Sequence, residues 1–228
     1  MTTFSIVVFA KNEENNIGFV TRELLKKYPA ERIIFVLDGR MELTAGLLSE
    51  KNIKFIKGPG QGKGAAIKTA ISEIGSDILV FMDADGSHDP AEIGSLLNPL
   101  VADQAEMVVG SRFLGSSEEM HDNVFDKVRC IGNVTSNVLI NLLWNRTGKN
   151  ISDAQNGFRS IKREVFLTLP IMEKSFSAEQ EMVIKCLKKG YRICEVRSHE
   201  RKRKYGRSHL SAKYLVNFVG CFLKNMFC

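Results

Sequence analysis

The chain has 228 residues, 44% hydrophobic and 25% charged, which suits one globular domain with a sizeable core, or one domain with a small appendage, and excludes a disordered or fibrous chain. A formal net charge of +6 points to an anionic partner: nucleic acid, phosphorylated small molecules or an acidic membrane surface. Its five cysteines (Cys130, Cys186, Cys194, Cys221, Cys228) are odd in number and never spaced as C-x-x-C, which argues against a disulfide framework or zinc site and for a reduced, cytosolic compartment.

Phe4 to Phe9 is an apolar, β-branched and aromatic run that predicts a first strand entered at once, with no signal peptide. The sequons at Asn133, Asn145 and Asn150 are accordingly expected to stay unmodified. A helix to about Tyr28, a strand from Arg32 to Leu37, a short helix from Met41 to Ser49 and a strand from Ile53 to Ile56 follow. Next come a glycine-rich loop, Gly58 to Gly64, and a helix from Ala65 to Ile74. Ile78 to Met82 is too short for a helix and reads as a strand buried on both faces; Asp89 and Pro90 then supply an N-cap and a first-turn proline for a helix from Ala91 to Leu100. With a fifth strand, Met107 to Val109, the alternation predicts a parallel, doubly wound α/β sheet.

Polar residues collect where these strands stop: Asn12 and Glu13, Asp38, Lys63, Asp83 and Asp85, and Arg112. A parallel sheet gathers such ends on one rim, where ligands bind in open α/β folds. Asp83 and Asp85 are relieved of helix capping by Asp89. They point the same way on extended chain, as a hard divalent cation, Mg²⁺ or Mn²⁺, requires, and such a cation would hold a diphosphate. The glycine-rich loop fails the phosphate-loop spacing because Gly64 stands where Ser or Thr is needed, yet Lys63 at a helix start is placed to meet a phosphate or a base.

Beyond Val124 the alternation breaks. A helix is expected from Val128 to Trp144, further helices from Arg163 to Leu169 and Ala178 to Lys189, and a last strand from Arg192 to Val196. The basic run Arg201 to His209 has a single aromatic and no helical basic stripe, which disfavours nucleic acid. Residues 211–228 form an apolar helix, slightly short for a membrane span, with core and interfacial placements both open.

In order, Phe9 to Ile17, Leu37-Asp38-Gly39, Gly62 to Ala66, Phe81 to Pro90, Val109 to Phe113, Asp153 with Gly157-Phe158-Arg159, and Glu195-Val196 with Arg203 to His209 make a set. In it the chain resembles family 2 glycosyltransferases of the GT-A fold, in particular the dolichol- or polyprenol-phosphate mannosyl- and glucosyltransferases. The resemblance covers residues 1–210, with 211–228 as a C-terminal apolar helix. It implies a Rossmann-like, mostly parallel sheet and metal-dependent, inverting transfer of a hexose from a GDP- or UDP-sugar to a polyprenyl phosphate. The enzyme would be peripheral at the cytosolic membrane face, with a possible membrane-protein subunit. It further implies that Ala10, Asn12, Glu13, Asp38, Lys63, Asp83, Ala84, Asp85, Arg203 and His209 bind the nucleotide sugar, that Asp83, Asp85 and Arg203 are catalytic, and that Asp83, Asp85 and Ser87 face the metal. Arg112 and Arg129 would meet the acceptor phosphate. Leu37, Ser87 and His209 depart from the family's Asp, Gln and Lys and imply altered metal affinity and donor choice.

Three competing readings make their own predictions. A sugar-hydroxyl acceptor would need a carboxylate base, for which Glu179 and Glu181 are candidates, unless they are merely exposed acids in a helix's first turn. A sugar-phosphate nucleotidyltransferase would carry an arginine-bearing, glycine-rich loop after the first strand, where this chain has Ala10-Lys11-Asn12-Glu13-Glu14. A basic adaptor for RNA or acidic membrane would tolerate neutralised Asp83 and Asp85.

Overall fold

The computed structural model describes residues 2–39, 42–119, 124–205 and 212–227. Its strands are β1 (Phe4–Lys11), β2 (Ile33–Asp38), β3 (Lys54–Lys57), β4 (Ile78–Asp83), β5 (Met107–Ser117), β6 (Arg159–Lys162) and β7 (Ile193–Glu200). Its helices are α1 (Glu14–Leu25), α2 (Glu42–Glu50), α3 (Lys63–Glu73), α4 (Ile93–Val101), α5 (Val124–Trp144), α6 (Arg163–Thr168), α7 (Ser177–Lys188) and α8 (Ala212–Phe227). The strands form one sheet in the order β3-β2-β1-β4-β6-β5-β7.

The apolar runs of β1, β2 and β4 are buried on both faces because helices cover both sides of the sheet. Val7, Phe9, Val36 and Phe81 pack with Ile67 and Ile71 of α3 and Met182 of α7. On the other face Ile6, Val8, Phe35 and Met82 meet Ile17, Val20 and Leu24 of α1 and Leu96 and Leu100 of α4. Parallel register sets Lys11 opposite Asp38 and Phe9 opposite Asp83, so the carboxyl ends of the three strands share one rim.

The sheet departs from a purely parallel one at β6, which runs antiparallel between β4 and β5. The cause is the path after α5. The chain doubles back along that helix, with Ile151 donating its N–H to Asn141 (2.8 Å) and Ala154 to Asn137 (3.1 Å), and so re-enters the sheet from the carboxyl rim. β5 is also longer than its apolar core, continuing to Ser117 alongside β7, which itself extends to Glu200. Asp89 caps the turn before α4, accepting from Ala91 N–H at 2.9 Å, as its pairing with Pro90 predicts. Among the described residues no helix is long and apolar enough to cross a membrane.

Candidate active site

A cleft of about 560 Å³, counting its open mouth, lies at the carboxyl rim of β1, β2 and β4. Ala10, Glu13, Asp38, Lys63, Asp83, Ala84, Asp85 and Arg203 line it, together with Phe9, Lys11, Val36, Ala66 and Phe176. The strand ends deliver the first group because the sheet is parallel there; Arg203 arrives from the segment after β7, whose backbone is tied to the rim by Lys204 N–H to Asp85 O (3.1 Å) and Arg201 N–H to Ser87 O (2.9 Å).

Each acid of the β4 terminus has a cationic partner. Lys63 Nζ stands 2.6 Å from Asp83 Oδ1 and 2.7 Å from Glu179 Oε1. Burial alone would lower the Lys63 pKa, but the charges of Asp83 and then Glu179 outweigh it and hold the amine well above its ordinary value. Burial would likewise raise the Asp83 carboxyl; Lys63, and after it His88, keep it below the usual carboxylate range. Asp85 Oδ2 lies 3.1 Å from Arg203 Nη2, while its Oδ1 accepts from the Ser87 N–H (3.0 Å) and hydroxyl (2.7 Å). Ser87 thus orients Asp85. Glu13 accepts from Asn16 Nδ2 at 2.5 Å, and burial pushes its carboxyl above the ordinary range.

Two glycines let side chains of the site approach the backbone closely. A Cβ on Gly157 would fall 2.5 Å from Lys63 Nζ, 2.7 Å from Glu179 Oε1 and 3.0 Å from Asp83 Oδ2, so only glycine leaves room for the Lys63 pairs. A Cβ on Gly58 would fall 2.3 Å from Asp38 Oδ1, the atom that accepts the Gly60 N–H at 2.7 Å. The glycine-rich loop therefore fixes the Asp38 carboxylate.

The expected residues do not all converge. Asn12 adopts a left-handed backbone (φ 57°) and does not line the cleft. Arg112 is bound by Asp153 through Nε (2.8 Å) and Nη2 (2.9 Å) and by Glu200 through Nη1 (3.3 Å), away from the cleft lining. Arg129 lies on α5 with its side chain outside the description, and His209 lies outside the described residues. The picture of Glu179 and Glu181 as exposed acids is overturned: both are buried, because the first turns of α7 pack inward. Glu181 accepts from Met172 and Glu173 N–H (2.8 to 3.1 Å) and pairs with Lys185 at 2.9 Å, whereas Glu179 reaches the cleft through Lys63. Glu119 was not foreseen: it accepts the Arg203 N–H at 3.0 Å and faces its Nε at 3.6 Å. Nothing in an acidic pair ahead of a loop distinguishes it from a solvated one.

The donors fit a hard divalent ion of the kind that bridges to substrate phosphate. Among the described residues no three His, Cys, Asp or Glu side chains converge. Two carboxylates, with the other positions left to phosphate oxygens and water, are nevertheless the protein share such an ion takes.

Residues 5–169 match the profile of glycosyl transferase family 2. The chain belongs to that family. This glycosyltransferase is 28% identical over 214 residues to the UDP-N-acetylglucosamine–dolichyl-phosphate N-acetylglucosaminyltransferase of Methanococcus voltae, across 84% of this chain and 82% of that one. It is 25% identical over 219 residues to the polyprenol monophosphomannose synthase of Mycolicibacterium smegmatis, across 90% and 80%. Glucosyl-3-phosphoglycerate synthase from Mycobacterium tuberculosis, solved with Mn²⁺, UDP and glucosyl-3-phosphoglycerate, superposes with a TM-score of 0.75 at 19% identity, over 98% of this chain and 80% of that one. The glycosyltransferase thus has the GT-A fold.

Proposed function

We propose that this glycosyltransferase moves a hexose from a nucleoside diphosphate sugar, GDP- or UDP-linked, to a polyprenyl phosphate with inversion at the anomeric carbon. The observation that carries this reading is the rim itself, with Asp83 and Asp85 directed into a cleft beside the cations Lys63 and Arg203 and next to Asp38. Two relatives named for dolichyl-phosphate and polyprenol substrates support the acceptor.

In this reading Asp38, fixed by the Gly58 to Gly60 loop, contacts the base, and Ala10 and Ala84 keep the floor shallow enough for the sugar nucleotide. Asp83 and Asp85 would hold Mg²⁺ or Mn²⁺, which when bound neutralises charge on the departing diphosphate. Arg203 adds a planar cation on the same side, exchanging its present Asp85 contact for the diphosphate. One displacement suffices. An acceptor phosphate oxygen forms a bond to the anomeric carbon as the bond from that carbon to the diphosphate breaks, and the electron pair leaves with the nucleoside diphosphate. An acceptor already ionised near neutral pH needs no proton removed, which agrees with Glu179 being held by Lys63 and Glu181 by backbone N–H groups rather than standing open as a base. Arg112, saturated by Asp153 and Glu200, positions strand β5; charge on the acceptor is left to Arg129.

The test is incubation with Mn²⁺ or Mg²⁺, labelled nucleotide sugars and a short polyprenyl phosphate. Label should pass into an organic-soluble product, and Asp85→Asn should lower transfer by at least a hundredfold, in line with losing one charge-stabilising group. No transfer from any common hexose donor would defeat the lipid acceptor; undiminished transfer by Asp85→Asn would defeat the role of that carboxylate.

A further inference from the structure

The long helix α5 is amphipathic in the reverse sense. Its protein-facing side carries an asparagine ladder at i, i+4 and i+8. Asn137 bonds Ser152 O and Ala154 N–H, Asn141 bonds both backbone groups of Ile151 (2.8 Å each), and Asn145 bonds Asn141 Oδ1 and Lys149 O (2.7 Å each). The outward side carries Ile131, Val134, Val138, Leu139, Leu142 and Leu143, with Leu142 77% and Ile131 67% exposed. Alongside it, α8 buries Cys221 and Asn225 and turns out Val219, Leu223 and Met226, one helical face at i, i+4 and i+7. The two helices meet where Trp144 lies 5.1 Å from Phe222. Isolated apolar side chains on a surface are ordinary; a contiguous field of nine on two adjoining helices marks an interface.

Charge identifies what covers it. From Val124 to Ser152 the chain carries four cations, Lys127, Arg129, Arg146 and Lys149, against one acid, Asp126 at the start of α5, and residues 201–228 carry seven Lys or Arg and no acid. Among the described residues, the acid that reaches α8, Glu173, is paired with Lys224 at 2.9 Å. An apolar face flanked by a strong excess of cations, eleven against the single acid Asp126, complements a negatively charged lipid surface and is far less suited to a second copy of itself, which would bring like charge to like.

We infer that the outer faces of α5 and α8 together form a docking surface that seats this enzyme in an anionic lipid monolayer. The surface is coupled to the cleft through Gln180, next in the chain to Glu179. Fully buried, Gln180 accepts from Ser136 of α5 and from Gln155 (3.1 Å each) and donates to Phe218 O of α8 (3.2 Å). Seating these helices at the interface brings the cleft to the lipid boundary, where a phosphate carried on an apolar chain is presented. That purpose rests on the proposed acceptor; the docking itself does not.

The docking is tested by cosedimentation with vesicles of phosphatidylcholine containing phosphatidylglycerol, with no polyprenyl phosphate and no nucleotide. The wild-type chain should bind, and Leu142→Asp should weaken binding about tenfold or more, since a leucine side chain withdrawn from water is lost and a charge replaces it. Val101→Asp, equally a change of an exposed apolar residue but on α4, should bind as wild type. Arg146→Glu with Lys149→Glu should weaken binding to the anionic vesicles alone, and this pair keeps the test decisive should Leu142→Asp misfold by circular dichroism. Absence of wild-type binding, binding indifferent to both sets of changes, or a dimer in sedimentation velocity that Leu142→Asp dissociates would each overturn the assignment. Vesicle binding without transfer to lipid phosphate would defeat only the acceptor, and transfer without vesicle binding only the surface.

Discussion

The chemistry of the rim is organised by one buried amine. Lys63 lies between Asp83 and Glu179; the amine and Glu179 are buried, while Asp83 keeps 31% of its side chain open to the cleft. Removing one member of such a set leaves uncompensated charge, so Lys63→Met should destabilise the fold by about 3–5 kcal/mol, measured by urea unfolding. Adding Glu179→Gln should recover part of that loss, because one of the two stranded carboxylates is then neutral. A Lys63→Met variant as stable as wild type would mean that the pairs contribute nothing to the folded state. Gly157 tests the same set by shape: in Gly157→Ala the new methyl must displace Lys63 Nζ, Glu179 or Asp83, at a stability cost of about 1–3 kcal/mol. Transfer should fall far more than that cost would imply at a temperature where the variant is fully folded. Full activity would show that the Lys63 contacts can shift without consequence.

At the scale of elements, the insertion of β6 between β4 and β5 joins the parallel half of the sheet to the β5–β7 ribbon. Its anchor on the rim side is Arg112 with Asp153. Burial would lower the guanidinium pKa, but Asp153 and then Glu200 hold it above its ordinary value, and Asp153 itself is fully buried. Arg112→Ala should therefore cost about 3–5 kcal/mol in unfolding free energy, the penalty for stranding a buried carboxylate. A change at an open acceptor-binding arginine would leave stability nearly untouched, so the unfolding curve separates the two duties. What the sequence disclosed follows the same physics. β1, β2 and β4 are continuous apolar runs because both faces are covered, and their polar ends declare the rim. β6 escaped because Arg-Ser-Ile-Lys shows no apolar run: Arg159 is buried by giving its donors to the carbonyls of Ala154, Asn156 and Glu179, a satisfaction that composition does not reveal. Glu179 escaped for a related reason, since an acid in a first helical turn reads as solvated until its lysine partner is seen. In α5 the apolar period was visible, but the asparagines turn it outward.

Over the whole molecule, α7 is the seam at which the sheet, the cleft and the two apolar-faced helices meet, and two thiols report on it. Cys186 of α7 is packed in the main core, and Cys221 of α8 lies against the start of α7, its thiol 3.7 Å from Ser177 O. Burial pushes both thiols up to about 12, so at pH 8 neither offers appreciable thiolate, the reactive form. Cys130 and Cys194 are partly exposed. Among the thiols of the described residues, iodoacetamide at pH 8, read by peptide mass mapping, should modify Cys130 and Cys194 first and reach Cys186 only as the domain unfolds in urea. Cys221 tells whether α8 belongs to that cooperative unit. Silent together with Cys186, it shows α8 held in place as a fixed part of the apolar face; labelled while Cys186 stays silent, it shows α8 leaving α7 without global unfolding, and the face would then exist as one surface only while α8 is docked.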